Sequence, residues 1–147
     1  MSETRLVLDT NVIVSAALKP NGNEAWALRY ALRPPAALFV TDAIVAEYAD
    51  VLTRPKFRFP PGLVQKFLED LFAASHRVEP TPGIDFCVLD ASDNDFVACA
   101  DAANAHYLVT GNLAHFPAAA WKTTMILNAR DLRARLGAAD DAGRIPS

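Results

Sequence analysis

The chain has 147 residues, 52% of them hydrophobic and 21% charged, and carries a net charge of −3 at neutral pH. That is one domain with room for a real core. It holds no apolar run near the roughly 20 residues of a membrane span, and its acidity argues against a nonspecific coat for nucleic acid.

In chain order, residues 5–9, RLVLD, read as a short buried strand, because Leu6, Val7 and Leu8 form an unbroken apolar run. Asp9 interrupts that run, so no secretory leader is expected and the chain is placed in the cytoplasm. Residues 22–32, GNEAWALRYAL, read as a helix, with Trp26 and Tyr30 at helical spacing. Residues 36–40, AALFV, are a second strand. Residues 41–52, TDAIVAEYADVL, are a helix with Thr41 as N-cap and Asp42 in the dipole-favoured first turn. RPKFRFPP, residues 54–61, breaks it, and residues 62–75 form another amphipathic helix. Residues 76–80, HRVEP, are a short strand, and a loop follows. Residues 93–105, DNDFVACADAANA, are a helix and 106–110, HYLVT, a strand. GNLAHFP is a turn or short helix. Residues 124–128, TMILN, are the last strand and 129–136 the last helix. The domain is expected to span 1–137, with 138–147 a disordered tail. Such alternation predicts an α/β fold: a central, mostly parallel sheet in a three-layer α/β/α sandwich, with its site at the carboxyl ends of strands. Cys87 and Cys99 fit no zinc spacing and read as buried thiols in a reducing compartment.

Asp9 stands at such an end. A charge there is costly unless something compensates it, and it reads either as a ligand or as a cap for the helix that opens after it. On the helix of residues 41–52, Ile44, Val45, Tyr48, Val51 and Leu52 make one apolar stripe, and Glu47 sits on its border at about 100° per residue. A snorkelling surface glutamate has the same pattern. Asp90, Asp93 and Asp95 crowd a helix start, where Ser92 or Asp93 could simply cap. Asp101 reads as outward and solvated. Thr110 and Asn112 lie at a strand end. Taken together, Asp9, Glu47, Asp93 and Asn112 could converge at one sheet edge. Clustered carboxylates repel unless a cation joins them, and oxygen ligands suit Mg2+ or Mn2+. The matching chemistry is phosphodiester hydrolysis by metal-activated water.

These blocks resemble the PIN-domain nucleases, in particular the bacterial branch of toxin components of toxin–antitoxin pairs related to the VapC ribonucleases. LVLDTNVIVSAAL is similar to the opening strand and helix start, TDAIVAEYADVLTRPKF to the second motif, and LDASDNDFVACADAANAHYLVTGNLAHFP to the third and fourth run together. The resemblance implies a metal-dependent endoribonuclease, a cognate antitoxin and a homodimer. It implies Asp9, Glu47 and Asp93 as the core acids, Asn112 in the fourth position, and Thr10, Asn11 and Thr110 as a polar supporting shell. The chain departs from the branch in reading Asp90-Ala91-Ser92-Asp93 before the helix, which leaves Asp95 as a rival for the third acid. It also has Asn112 where many relatives have Asp.

Arg54, Lys56 and Arg58, interleaved with Phe57 and Phe59, suit single-stranded RNA, although a helix end over core aromatics has the same composition. His115 could face the cleft, but a histidine near a turn is more often structural. A catalytically degenerate PIN fold that binds nucleic acid or protein is the alternative. A phosphotransferase of the haloacid dehalogenase type would want a second Asp two residues after Asp9, and Asn11 stands there.

Overall fold

Leu6, Val7 and Leu8 are consecutive, so their side chains point alternately to the two faces of a strand, and all three are fully buried. That requires a sheet covered on both sides. The structure is a computed structural model and describes residues 3–142, with side chains described to 137. The elements are β1 (Thr4–Leu8), α1 (Thr10–Leu18), α2 (Asn23–Leu32), β2 (Ala36–Val40), α3 (Asp42–Leu52), α4 (Pro61–Ala74), β3 (His76–Arg77), α5 (Asn94–Ala103), β4 (Tyr107–Val109), β5 (Ala120–Trp121), β6 (Thr124–Leu127) and α6 (Ala129–Ala142). Short 3-10 turns occupy Pro55–Phe57, Ala91–Asp93 and Leu113–His115.

The six-stranded sheet runs β3-β2-β1-β4-β6-β5. All neighbours are parallel except β5, which lies antiparallel to β6. Helix α2 packs on β1 and β2 with α1 and α6 beside it, and α5 packs on β1, β2 and β4. This is the expected mostly parallel sheet flanked by helices. The chain leaves β1 for β2 on one side and later returns to β4 on the other, which makes the carboxyl ends of β1 and β4 the topological switch point. Asp9 follows β1 and Thr110 follows β4. The two ends are sewn together where the Asp9 N–H donates to the Val109 carbonyl at 2.9 Å.

The helix that opens after Asp9 runs over residues 10–18 as α1. One strand falls outside the segments read from sequence: β5 has two residues, too short to show any alternation. The helix expected to stop at residue 136 continues to Ala142. Residues 138–142 of the expected tail are therefore helical, and 143–147 lie outside the described residues.

Asp101 is corrected as well. It is not solvated: it accepts hydrogen bonds from Thr81 Oγ1 at 2.7 Å and Trp121 Nε1 at 3.0 Å. It also pairs with Lys122 at 2.9 Å, with 13% of its side chain exposed. These partners hold its carboxyl down at about 2, the Lys122 hydrogen bond foremost. The β5–β6 hairpin folds over a helix face that the helical period alone marks as outward.

Cys87 and Cys99 are buried free thiols, pushed up by burial to about 11 and about 12. Thr41 caps α3 as expected, its hydroxyl accepting from the Ile44 N–H at 3.2 Å. Thr41→Ala removes that acceptor from a buried helix start. The expected cost is about 1 kcal/mol, read as a lower urea midpoint at unchanged slope. A midpoint equal to wild type would show that the cap carries nothing.

Candidate active site

Asp9 occupies the N-cap position of α1, yet its side chain makes no capping bond. The carboxylate turns instead toward β4. Its Oδ2 accepts from Thr110 Oγ1 at 2.7 Å and, more weakly, from Asn11 Nδ2 at 3.3 Å. Asp9 is 5% exposed and Thr110 is fully buried. Asn11 Oδ1 in turn accepts from the Gly111 N–H at 2.9 Å. A β-carbon at Gly111 would stand 3.3 Å from Asn11 Oδ1, tighter than most such contacts. The glycine lets the chain after β4 approach the start of α1.

Residues 9, 10 and 11 open a helix, so successive side chains fan out by about 100°. Asp9 and Asn11 face the end of β4. Thr10 faces α3, where its hydroxyl donates to Glu47 Oε2. Glu47 is half-buried, as the stripe on α3 predicts. The next residue, Tyr48, is fully buried and donates its hydroxyl to the Leu8 carbonyl. The helix bearing Glu47 is thus tied to the strand that delivers Asp9. Sequence reasoning passed over this link, because an aromatic in an apolar stripe looks like plain core.

The third segment is the turn before α5. Asp90 accepts from the Ser92 N–H at 3.0 Å and the Ser92 hydroxyl at 2.6 Å. Asp93 is 7% exposed and makes no capping bond, so the simple capping role falls to Asp90. Asn94 pins the preceding loop: its Oδ1 accepts from the Phe86 and Cys87 N–H groups and its Nδ2 donates to the Cys87 carbonyl. Asp95 is exposed, and its charge adds to the rise of the Glu47 carboxyl.

The charges act on one another. The Asp9, Glu47 and Asp93 carboxyls are all raised above their ordinary values, by burial first. Asp93 adds to the rise at Asp9, Asp9 to that at Glu47, and Asp90 to that at Asp93. Hydrogen bonds from Thr110, Thr10 and His115 work the other way. Buried, mutually repelling carboxylates held by hydroxyls, an amide and an imidazole fit a divalent cation.

Not every expected residue joins. Asn112 is exposed and reaches the cluster through its backbone N–H, which donates to Thr110 Oγ1 at 3.0 Å. Arg54 pairs with Asp50 at 3.2 Å, Lys56 lies 5.0 Å over the Phe57 ring, and Arg58 closes the turn onto Pro55. Phe57 and Phe59 stack on each other, half-buried against the core. Among the described residues, the tightest set of possible ligand atoms is Asp90, Asp93 and His115, all within 4.8 Å of one another. Sequence reasoning had not grouped them. The available signal was the spacing of Asp90 and Asp93, three residues apart.

A parallel sheet with carboxylates gathered at its switch point is an α/β protein built to bind at strand ends. The PIN domain family model matches residues 5–114, and the chain belongs to that family. Among solved structures it is similar to VapBC2 from Rickettsia felis bound to a DNA fragment from its promoter. The identity is 16% and the TM-score 0.59, over 85% of this chain and 98% of that one. It is equally similar to VapBC-1 from nontypeable Haemophilus influenzae, at 16% identity and TM-score 0.59, over 86% and 99% of the two chains. At that identity the likeness is one of fold. No curated protein matches by sequence.

The raised carboxyls set a direction for stability. A carboxyl raised on folding binds its proton more tightly in the native state, so stability falls as pH rises through the raised value and stays lowered above it. In EDTA, Asp9→Asn keeps an acceptor for Thr110 and removes the charge. Its melting temperature is expected to exceed wild type at neutral pH, with the gap closing below the ordinary carboxylate range. A variant that melts lower than wild type at neutral pH would contradict this.

Proposed function

We propose that this protein is a Mg2+- or Mn2+-dependent endoribonuclease and the toxin of a toxin–antitoxin pair, acting in the cytoplasm as a homodimer. The observation that carries this is the convergence of Asp9, Glu47 and Asp93. They come from three distant segments, the two aspartates buried and Glu47 half-buried, and sit in one another's fields. Membership of the PIN domain family and the fold likeness to the VapBC structures support it.

In this reading Asp9, Glu47 and Asp93 hold the metal, with Asp93 rather than the exposed Asp95 as third acid. Asn112 is assigned the fourth position. A divalent ion bound there supplies a nucleophile at neutral pH and neutralises charge on the phosphate. The chain does the positioning. Thr110 and Asn11 fix the Asp9 carboxylate, Thr10 fixes Glu47, and the Asn112 N–H orients the Thr110 hydroxyl. Arg54, Lys56 and Arg58 are proposed to meet the RNA backbone, where pairing with phosphate needs only exposed cations. The antitoxin is a separate protein that silences the site. The exposed Asn112 side chain brings no charge, and this favours the second reading, a degenerate binding module.

The test is cleavage of a mixed RNA pool in Mn2+, with EDTA as control. Asp9→Asn and Asp93→Asn should each lose activity by at least about 100-fold, more than supporting residues of metal sites typically cost. Cleavage that survives EDTA or Asp9→Asn in clean protein would sink the assignment. Folded wild type that neither cuts RNA nor binds metal would point to the degenerate module.

A further inference from the structure

The edge of the acid cluster holds a nitrogen. His115 closes the turn after β4, its N–H donating to the Asn112 carbonyl at 2.9 Å. The buried Phe116 beside it anchors that turn in the core. Its Nδ1 stands 3.2 Å from Asp93 Oδ2, with 39% of the His115 side chain and 10% of Asp93 exposed. Asp90 caps the 3-10 turn that Asp93 ends, three residues on. One ligand atom from each of the three residues lies within 4.8 Å of the others.

Those separations have the scale of a coordination shell. An octahedral ion with bonds of about 2.2 Å puts adjacent ligands about 3.1 Å apart and opposite ones about 4.4 Å apart. A simple histidine–aspartate pair would account for the 3.2 Å contact. The Ser92 bonds hold Asp90 at the head of its turn, and from there its carboxylate stands within reach of both. The loop is not free to drift, because the Asn94 side chain pins Phe86 and Cys87 just before it.

We propose that His115 and Asp90 join Asp93 in ligating the metal assigned above to Asp9, Glu47 and Asp93, so that the site selects manganese over magnesium. The inference rests on the metal-dependent reading above and adds the ligand that decides which ion is used. Magnesium keeps an all-oxygen shell, whereas first-row transition ions accept imidazole nitrogen. An O,O,N set gives manganese one bond that magnesium does not favour.

The test reads metal binding directly. Wild type, His115→Ala and His115→Gln are loaded with Mn2+ and examined by pulsed EPR for coupling to an imidazole nitrogen, and Mn2+ and Mg2+ affinities are measured by calorimetry. His115→Gln keeps a polar partner for Asp93, and circular dichroism checks that both variants fold. Expected are a nitrogen coupling in wild type that both variants lose, and a fall in Mn2+ affinity of about 10- to 100-fold with Mg2+ affinity nearly unchanged. Mn2+ that binds without nitrogen coupling, and that Asp9→Asn releases, would overturn the role of His115 while leaving a metal-dependent site in place. Folded wild type that binds neither ion would overturn both.

Discussion

The hydroxyl of Thr110 has a single proton, and its surroundings decide where that proton goes. The Asn112 N–H donates to the hydroxyl oxygen, so the proton is left for Asp9. The Asn11 amide is oriented by the same logic. The Gly111 N–H can only donate, so Asn11 turns its carbonyl there and its NH2 toward Asp9. Both side-chain partners of the Asp9 carboxylate are therefore donors with no alternative, an arrangement that suits the ionised acid. The bonds join residues about a hundred positions apart across the β1–β4 seam. The switch point of the sheet and the first acid of the site are held by one network.

That network works against burial. Asp9, Glu47 and Asp93 are each raised by desolvation, and each feels another acid of the group. The fold thus orients donors for a charge that its own low-dielectric interior disfavours. Stabilising fold features lie elsewhere, in the covered sheet, the capped α3 and the clamp on Asp101. Strain of this kind concentrates at functional sites because a misfit in the free protein can become a fit once a ligand is bound.

Much of this was legible in sequence. The run Leu6–Val7–Leu8 ending in Asp9 marks a buried strand with a charge at its end, because a strand covered on both faces has no polar alternation to blur it. Glu47 was placed at the rim of α3 by period alone, since a regular helix fixes angles. The failures share a cause. Asp101 was read as solvated because a helical wheel knows nothing of the hairpin that folds over it. The grouping of Asp90, Asp93 and His115 depends on two irregular turns, 22 residues apart between Asp93 and His115, and no periodicity spans them. The link from Tyr48 to Leu8 was hidden because the ring packs like any core aromatic while its hydroxyl does the tying.

The charge balance bears on how the proposed function would operate. The chain is net negative, and Arg54, just after α3, is already paired with Asp50. A phosphodiester approaching Asp9, Glu47, Asp90 and Asp93 meets like charge at every step. At about 4 Å each such pair opposes approach by roughly 1 kcal/mol in water and about 4 kcal/mol near a protein surface. A divalent ion reverses the sign of that field. The same ion would relieve the repulsion that raises the carboxyls and would turn a repelling cleft into an attracting one. Metal and substrate must then reinforce each other's binding, because linkage is reciprocal. On the proposed function, an acidic protein can act on an acidic polymer on those terms, the occupancy of the metal site adding to whatever Arg54, Lys56 and Arg58 contribute.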